Sequence, residues 1–270
     1  MKDRSPSNEN RRGVVVIPTY NEAENIAPLV HLILGQELSL DVLIADDNSP
    51  DGTGQIADRL AETRARIGDQ VHVLHRPHKE GLGRAYLAGF AWAMRRGYAF
   101  VIQMDADLSH DPASLTTLVA ASAEADVVLG SRYLNGISVV NWPLRRILLS
   151  WGANQYVRLV TGLKVQDITS GYRLYRCEAL AAMDLGSVLS NGYSFQVEMT
   201  FRAALAGCRL VEVPIVFTER RAGCSKMSGG VIVESLRVPL RLRFGAAALR
   251  LRLVPLRQET DEKFPLSKAA

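Results

Sequence analysis

The chain has 270 residues, 47% of them hydrophobic and 22% charged, with a formal net charge of +4. That much apolar material builds a core and excludes wholesale disorder, while Gly and Pro without a fixed period exclude solenoid and propeller arrays. Three cysteines (177, 208 and 224) without C-x-x-C spacing fit neither a disulfide framework nor a zinc site, and suit a reducing compartment.

Residues 1–12 are polar and lack an apolar run behind their charges, so they read as a disordered leader rather than a secretory signal. From Gly13 the chain alternates β-branched runs with helical patterns. The strands are predicted at 13–18, 41–45, 71–75, 98–104 and 126–129, and the helices at 21–34, 51–66, 83–95 and 111–123. The first helix shows the period best, with Ile26, Leu29, Val30 and Ile33 on one face. This βαβ alternation predicts an α/β fold with a Rossmann-like, mostly parallel sheet flanked by helices, whose ligand edge lies beyond the carboxyl ends of the strands.

Polar residues gather at those strand ends: Pro18-Thr19-Tyr20-Asn21-Glu22, Asp46 to Thr53, Arg76 to Gly83, and Asp105-Ala106-Asp107-Leu108-Ser109-His110. Asn21, Asp51 and Asp111 read as turn formers or N-caps. Asp46 and Asp105 do not, because aspartates crowded at a strand end call for a cation or a donor-rich ligand. Asp105-x-Asp107 after a buried strand offers two hard oxygen ligands for a divalent cation that bridges to phosphate. Gly81-Leu-Gly83 lacks the third glycine of a dinucleotide fingerprint, since Tyr86 stands there; it reads as a strand-to-helix turn with a helix N-terminus open to an anion. His31, His72 and His75 read as structural or surface residues, and His78 and His110 lie on the ligand edge without the spacing of a metal triad.

The charge is uneven. Residues 220–257 hold nine basic side chains and one acidic one, a net +8, leaving −4 for the rest. A polyanionic surface is the expected partner, either headgroups or nucleic acid. The acidic strand ends and the scarcity of aromatics beyond Phe244 argue against nucleic acid. Residues 231–254 are interrupted by five arginines and Glu234, so no transmembrane helix is expected. A helical wheel over 240–254 shows no one-sided amphipathic face, which leaves an interfacial helix, packing on the main domain, or docking to a membrane-protein anchor.

These motifs resemble the inverting family-two glycosyltransferases of GT-A fold, and within them the dolichol/polyprenol-phosphate mannosyltransferases. The likeness runs from about Val14 to Gly230. It is carried by PTYNE, DDNSPDGT, the R-x-x-K-x-GLG-x-A-Y stretch from Arg76, DADLSH, Gly130-Ser131-Arg132-Tyr133, Asn141-Trp142-Pro143, Thr169-Ser170-Gly171-Tyr172-Arg173, Gly192-Tyr193-x-Phe195-Gln196-x-Glu198 and the stretch from Arg220 to Lys226. The resemblance implies transfer of mannose from GDP-mannose to a polyprenyl monophosphate with inversion, with UDP-glucose or another nucleotide sugar as the alternative donor. It implies that Pro18, Tyr20, Glu22, Ile44 and Asp46 hold the nucleoside. Asp105, Ala106 and Asp107 would hold the diphosphate and Mg²⁺ or Mn²⁺, with Ser109 as a third, weaker ligand. Arg132 and Arg146 would receive the lipid phosphate, Arg145 being the alternative register for the second. Arg220 and Lys226 would contact diphosphate or lipid phosphate from a Gly/Ser-rich loop. Asp105, Asp107 and Arg132 are the expected catalytic residues.

The expected organisation is a glycosyltransferase domain over 13–230, a basic helical membrane-surface or partner segment over 231–257, and a flexible tail over 258–270. The protein is expected to sit peripherally on the cytoplasmic side of the membrane.

Overall fold

A computed structural model describes residues 12–66, 70–219, 229–253 and 256, with the side chains of 229–232 left aside. The leader, apart from Arg12, and the tail therefore lie outside the described residues, as do Arg220 and Lys226.

The chain begins as the hydrophobic pattern predicts. Strand β1 (Gly13–Thr19) is followed by helix α1 (Ile26–Leu34), β2 (Leu40–Asp46), α2 (Thr53–Ala65), β3 (Val71–His75), α3 (Leu82–Arg95) and β4 (Phe100–Gln103). Then come α4 (Leu115–Ala121), β5 (Val127–Ser131), β6 (Val139–Val140), α5 (Leu144–Thr161), β7 (Arg173–Arg176), α6 (Cys177–Ala182), α7 (Gly192–Leu205), β8 (Leu210–Pro214), β9 (Phe217–Thr218), α8 (Gly229–Phe244) and α9 (Ala246–Arg250). Helix starts shift inward where the backbone turns left-handed: Asn21 has φ 62° and Gly52 φ 91°, so α1 and α2 begin after them. The segment at 111–123 splits instead. Asp111 accepts from the Ala113 N–H at 3.0 Å and caps a single tight turn at Pro112–Ser114 before α4 starts.

Seven strands form one sheet in the order β3-β2-β1-β4-β7-β5-β8. All pairs are parallel except those of β7, which runs antiparallel between β4 and β5. Strands β1 and β2 are covered on both faces. Val14 and Val16 face one core with Tyr86, Phe90 and Phe195, while Val15 and Ile17 face the other with Ile26, Leu29 and Val30. Each such buried aliphatic side chain contributes about 1.5–3 kcal/mol. Between α3 and β1 the contact is close enough that a Cβ on Gly89 would stand 2.4 Å from Val16 Cγ1.

The C-terminal helices join this core. Val238, Leu242, Ala246 and Leu253 are buried with residues of α7, and the Arg241 guanidinium bonds Ser190 Oγ at 3.0 Å and lies 3.5 Å from Glu198. Residues 238–253 are thus packed on the main domain and share its core. The helix breaks at Gly245, so the wheel drawn over 240–254 spans two helices and misses a periodic face. On α8, Val233, Leu236, Leu240 and Phe244 are exposed, and at 100° per residue they fall within about 80° of arc. On the adjoining α5, Leu144, Leu148, Trp151 and Leu159 do the same, Leu159 at 85% exposure. No described helix is long and apolar enough to cross a membrane.

Candidate active site

The carboxyl ends of β1, β2, β4 and β5 converge on one edge, with β9 laid across it. Much of the polarity there holds the loops together. Asp46 is buried; its Oδ1 accepts from Thr19 Oγ1 at 2.8 Å and Ser49 Oγ at 2.6 Å, and its Oδ2 from the Ser49 N–H at 3.0 Å. The β1 loop is stitched to the β2 loop by N–H groups of Asn21, Glu22 and Ala23, which donate to Ser49 Oγ, Thr53 Oγ1 and Asp51 Oδ2 at 2.9–3.1 Å. The crowding at Asp46 and Asp47 is therefore relieved inside the protein. Hydroxyls and an amide satisfy Asp46, and the Arg76 guanidinium bonds Asp47 and, at 2.6 Å, Glu80. Burial still holds the Asp47 carboxyl above its usual pKa, with Arg76 opposing.

Of the expected nucleoside residues, Tyr20 and Glu22 reach the surface region and Pro18 is half-buried. The Lys79 ammonium stands 3.7 Å from the Tyr20 ring centre. Ile44 is placed differently from expectation. It pairs with Ile17 across β1–β2 and is wholly buried in the core on the α1 side, because the strand's alternation turns it there. The turn at Gly81 also departs from expectation. Gly81 has φ 103°, and the Gly83 N–H is taken by Asn191 Oδ1 at 2.8 Å, so that donor is committed to α7 rather than open to an anion.

The acidic turn after β4 is tightly built. Asp107 Oδ1 accepts from the Ser109 N–H at 3.1 Å, and Leu108 sits at φ 60°. Asp105 Oδ1 accepts from the Tyr86 hydroxyl at 2.7 Å, and its N–H donates to His110 Nδ1 at 3.2 Å. The imidazole therefore carries its proton on Nε2 when neutral, and burial pushes its pKa down. His110 lies within this edge but does not open to solvent. It is buried, stacked on Tyr172 at 4.8 Å, with Phe217 edge-on at 5.6 Å. Gly171, of the TSGYR stretch, lies beside this turn: a Cβ there would stand 3.4 Å from both Asp105 Oδ2 and His110 Cε1, ordinary contact distance. Ser109 Oγ is buried and has no hydrogen-bond partner among the described residues. Ala106 is buried in the core.

Beside this turn lie the arginines. Asp167, fully buried, grips Arg132: Oδ2 accepts from Nε at 2.7 Å and the Arg132 N–H at 2.9 Å, and Oδ1 from Nη2 at 2.7 Å. Burial alone would raise the Asp167 pKa, but the Arg132 charge and hydrogen bonds outweigh it and hold the carboxyl below its usual value. Thr169 Oγ1 accepts a further bond from Nη2 at 2.8 Å. Arg146 pairs with Glu219 and lies 4.0 Å from the Trp142 ring centre, and Arg132 lies 5.4 Å from the same ring. Arg145 is exposed. Trp142 meets Phe217 edge-on at 5.4 Å, and the Thr218 N–H donates to Ser109 O at 3.3 Å, so β9 ties the arginine pair to the acidic turn.

Tyr86 and Asp167 escape the sequence reading as site builders. Tyr86 showed as part of the GLG-x-A-Y stretch, with no role assigned to its hydroxyl, and Asp167 meets Arg132 across 35 positions with no local periodicity to link them.

A Rossmann-like sheet with one reversed strand and an acidic turn at its carboxyl edge is the architecture of a GT-A glycosyltransferase. Solved structures agree: glucosyl-3-phosphoglycerate synthase from Mycobacterium tuberculosis, in complex with Mn²⁺, uridine diphosphate and phosphoglyceric acid, superposes with a TM-score of 0.61 at 18% identity over 88% of this chain and 80% of that one. The pattern of glycosyl transferase family 2 matches residues 14–183, and the chain belongs to that family. It is 49% identical over 246 residues to undecaprenyl-phosphate mannosyltransferase of Micrococcus luteus, covering 90% of this chain and 99% of that protein. It is also 49% identical over 236 residues to polyprenol monophosphomannose synthase of Mycolicibacterium smegmatis, covering 87% and 88%.

Proposed function

We propose that the protein transfers mannose from GDP-mannose to a polyprenyl monophosphate, giving polyprenyl-phosphate-mannose and GDP. The observation that carries this reading is the convergence of the Asp105–Asp107 turn with the Arg132–Arg146 pair on one edge, joined through Phe217 and Trp142. One half suits a cation-bridged diphosphate, the other a phosphate monoester. The high identity to two polyprenyl-phosphate mannosyltransferases supports the sugar and the acceptor class.

The residues fit a divalent cation. Among the described residues no cluster of three His, Cys, Asp or Glu side chains forms, so Asp105 and Asp107 would hold Mg²⁺ or Mn²⁺ with the substrate's phosphate oxygens and water. The unpartnered Ser109 hydroxyl beside them suits a further oxygen contact. When bound, the cation neutralises charge on the leaving diphosphate.

The acceptor needs no general base. A phosphate monoester has a second pKa of about 6 and already presents an anionic oxygen at neutral pH. Arg132 and Arg146 hold that oxygen in line with the anomeric carbon and offset repulsion from the donor. Asp167 clamps the Arg132 fork through Nε and Nη2, so the guanidinium is oriented before substrate arrives. Tyr20 and Glu22 flank the nucleoside, and Arg220 and Lys226, in the segment entered after β9, contact the diphosphate or lipid phosphate.

The lipid acceptor explains the exposed stripes on α5 and α8. Arg145 and Arg237 are exposed beside them, the pattern of a surface that lies on anionic headgroups with its apolar face inserted. The protein attaches peripherally to the cytoplasmic leaflet through this face. Labelled-sugar transfer to polyprenyl phosphate from a panel of GDP- and UDP-sugars, with and without Mg²⁺ or Mn²⁺, tests the reading. Metal-dependent mannosyl transfer from GDP-mannose is expected; a preference for UDP-glucose would reassign the donor, and no lipid product from any donor would refute the function.

A further inference from the structure

We propose that Tyr86 is a positioning residue for this reaction: its hydroxyl pins the Asp105 carboxylate in the orientation that receives the divalent cation. The proposal rests on the metal-binding reading above and names a residue outside it.

Tyr86 is completely buried, and its ring packs against two others, 6.0 Å from Phe90 and 6.2 Å from Phe195, nearly parallel to the latter. Both neighbours are themselves completely buried, so the ring has no room to swing. The tyrosine hydroxyl is therefore delivered to a fixed point, and at that point it donates to Asp105 Oδ1 at 2.7 Å. A phenol keeps its proton at neutral pH, so the hydroxyl is a donor to the carboxylate. A carboxylate on a partly exposed turn otherwise rotates about two side-chain bonds. Here Oδ1 is tethered by Tyr86 and the Asp105 N–H by His110, so the carboxylate and its backbone are each held at a defined point.

Two sequence motifs meet beneath Tyr86. A Cβ on Gly83 would stand 2.9 Å from Phe195 Cδ2, so the glycine lets Phe195 slide against the start of α3. Asn191 then locks that approach, accepting from the Gly83 N–H at 2.8 Å and donating to Glu80 O at 2.8 Å. The G-L-G-x-x-Y stretch and the N-G-Y-x-F stretch together form the platform under Tyr86. Hydrogen-bonded partners of this kind typically hold metal-ligating carboxylates, and their loss weakens metal affinity about 10- to 100-fold.

The test is Tyr86→Phe, which removes one hydroxyl and keeps both ring stacks. Mn²⁺ binding is read directly by electron paramagnetic resonance of free Mn²⁺, in the presence of GDP, together with melting temperature and steady-state kinetics. The variant is expected to melt close to the parent, bind Mn²⁺ about 10- to 100-fold more weakly, require correspondingly more metal for half-maximal turnover, and keep the KM for polyprenyl phosphate. In an Asp105→Asn background the same change should leave Mn²⁺ affinity where it is; a further drop there would make Tyr86 general scaffolding and overturn the proposal. So would parental Mn²⁺ affinity in Tyr86→Phe while Asp107→Ala loses binding. Parental affinity in Asp107→Ala as well would instead sink the metal reading on which the proposal stands.

Discussion

Replacing Asp167 with Asn tests whether the buried ion pair orients Arg132. The two side chains are almost the same size, so the perturbation is the charge and the geometry it enforces. Asp167 is fully buried and Arg132 nearly so, and Asp167 receives three hydrogen bonds from Arg132 at 2.7–2.9 Å. Removing one partner of such a pair leaves a buried charge uncompensated and typically costs about 3–5 kcal/mol. Against a usual total of about 5–15 kcal/mol, that is a large share of the stability. At roughly 2–4 °C per kcal/mol for a domain of this size, the melting temperature falls by roughly 6–20 °C. Urea unfolding and thermal melts measure it.

The pH dependence carries a sign. The folded pKa of Asp167 lies below its ordinary value of 3.8, so the pair's contribution is complete above that value and is lost as pH falls through the lowered folded one. The difference between parent and Asp167→Asn should therefore be constant near neutrality and shrink in strong acid. Converting both residues to apolar ones, Arg132→Met with Asp167→Leu, should recover much of the lost stability while transfer stays abolished. A loss below about 1 kcal/mol in the single variant, or a double variant no more stable than it, would refute the reasoning.

Asp107→Ala should abolish sugar transfer while the protein still melts cooperatively, since the side chain is partly exposed at the strand-end turn; near-normal turnover would remove it from the reaction. Gly81→Ala should destabilise the protein by roughly 1–3 kcal/mol in urea titration, because φ is 103° and the new Cβ would stand 2.3 Å from Asn191 Nδ2. Leu148→Glu with Phe244→Glu, both exposed, should leave stability within about 0.5 kcal/mol yet cut binding to anionic liposomes severalfold, with turnover on a short, detergent-soluble polyprenyl phosphate retained. Unchanged liposome binding by that variant would move the membrane face elsewhere.

The first five strands and the helices between them were legible from hydrophobic period alone, because β1 and β2 are buried on both faces and read as continuous apolar runs. The strand-end motifs were legible too, since a parallel α/β sheet leaves its ligand edge nowhere else. What the motifs do was not. The acidic crowding at Asp46 and Asp47 looks the same in sequence as that at Asp105 and Asp107, yet the first pair is consumed by Thr19, Ser49 and Arg76 and the second forms the turn that faces the arginines. Ile44 likewise sits two residues before Asp46 in sequence, yet its side chain is wholly buried in the core on the α1 side.

The chain itself determined the strand–helix alternation, the polar strand ends and the basic excess toward the carboxyl terminus, all of which are local properties of residue type and spacing. Tertiary structure alone decided the reversed strand β7, the clamp of Asp167 on Arg132 and the placement of Tyr86 under Asp105. It also decided the packing of α8 and α9 on α5 and α7, which buries one side of a basic segment and leaves two apolar stripes exposed. Each depends on groups brought together across tens of residues, where neither helical nor strand period carries information about the partner.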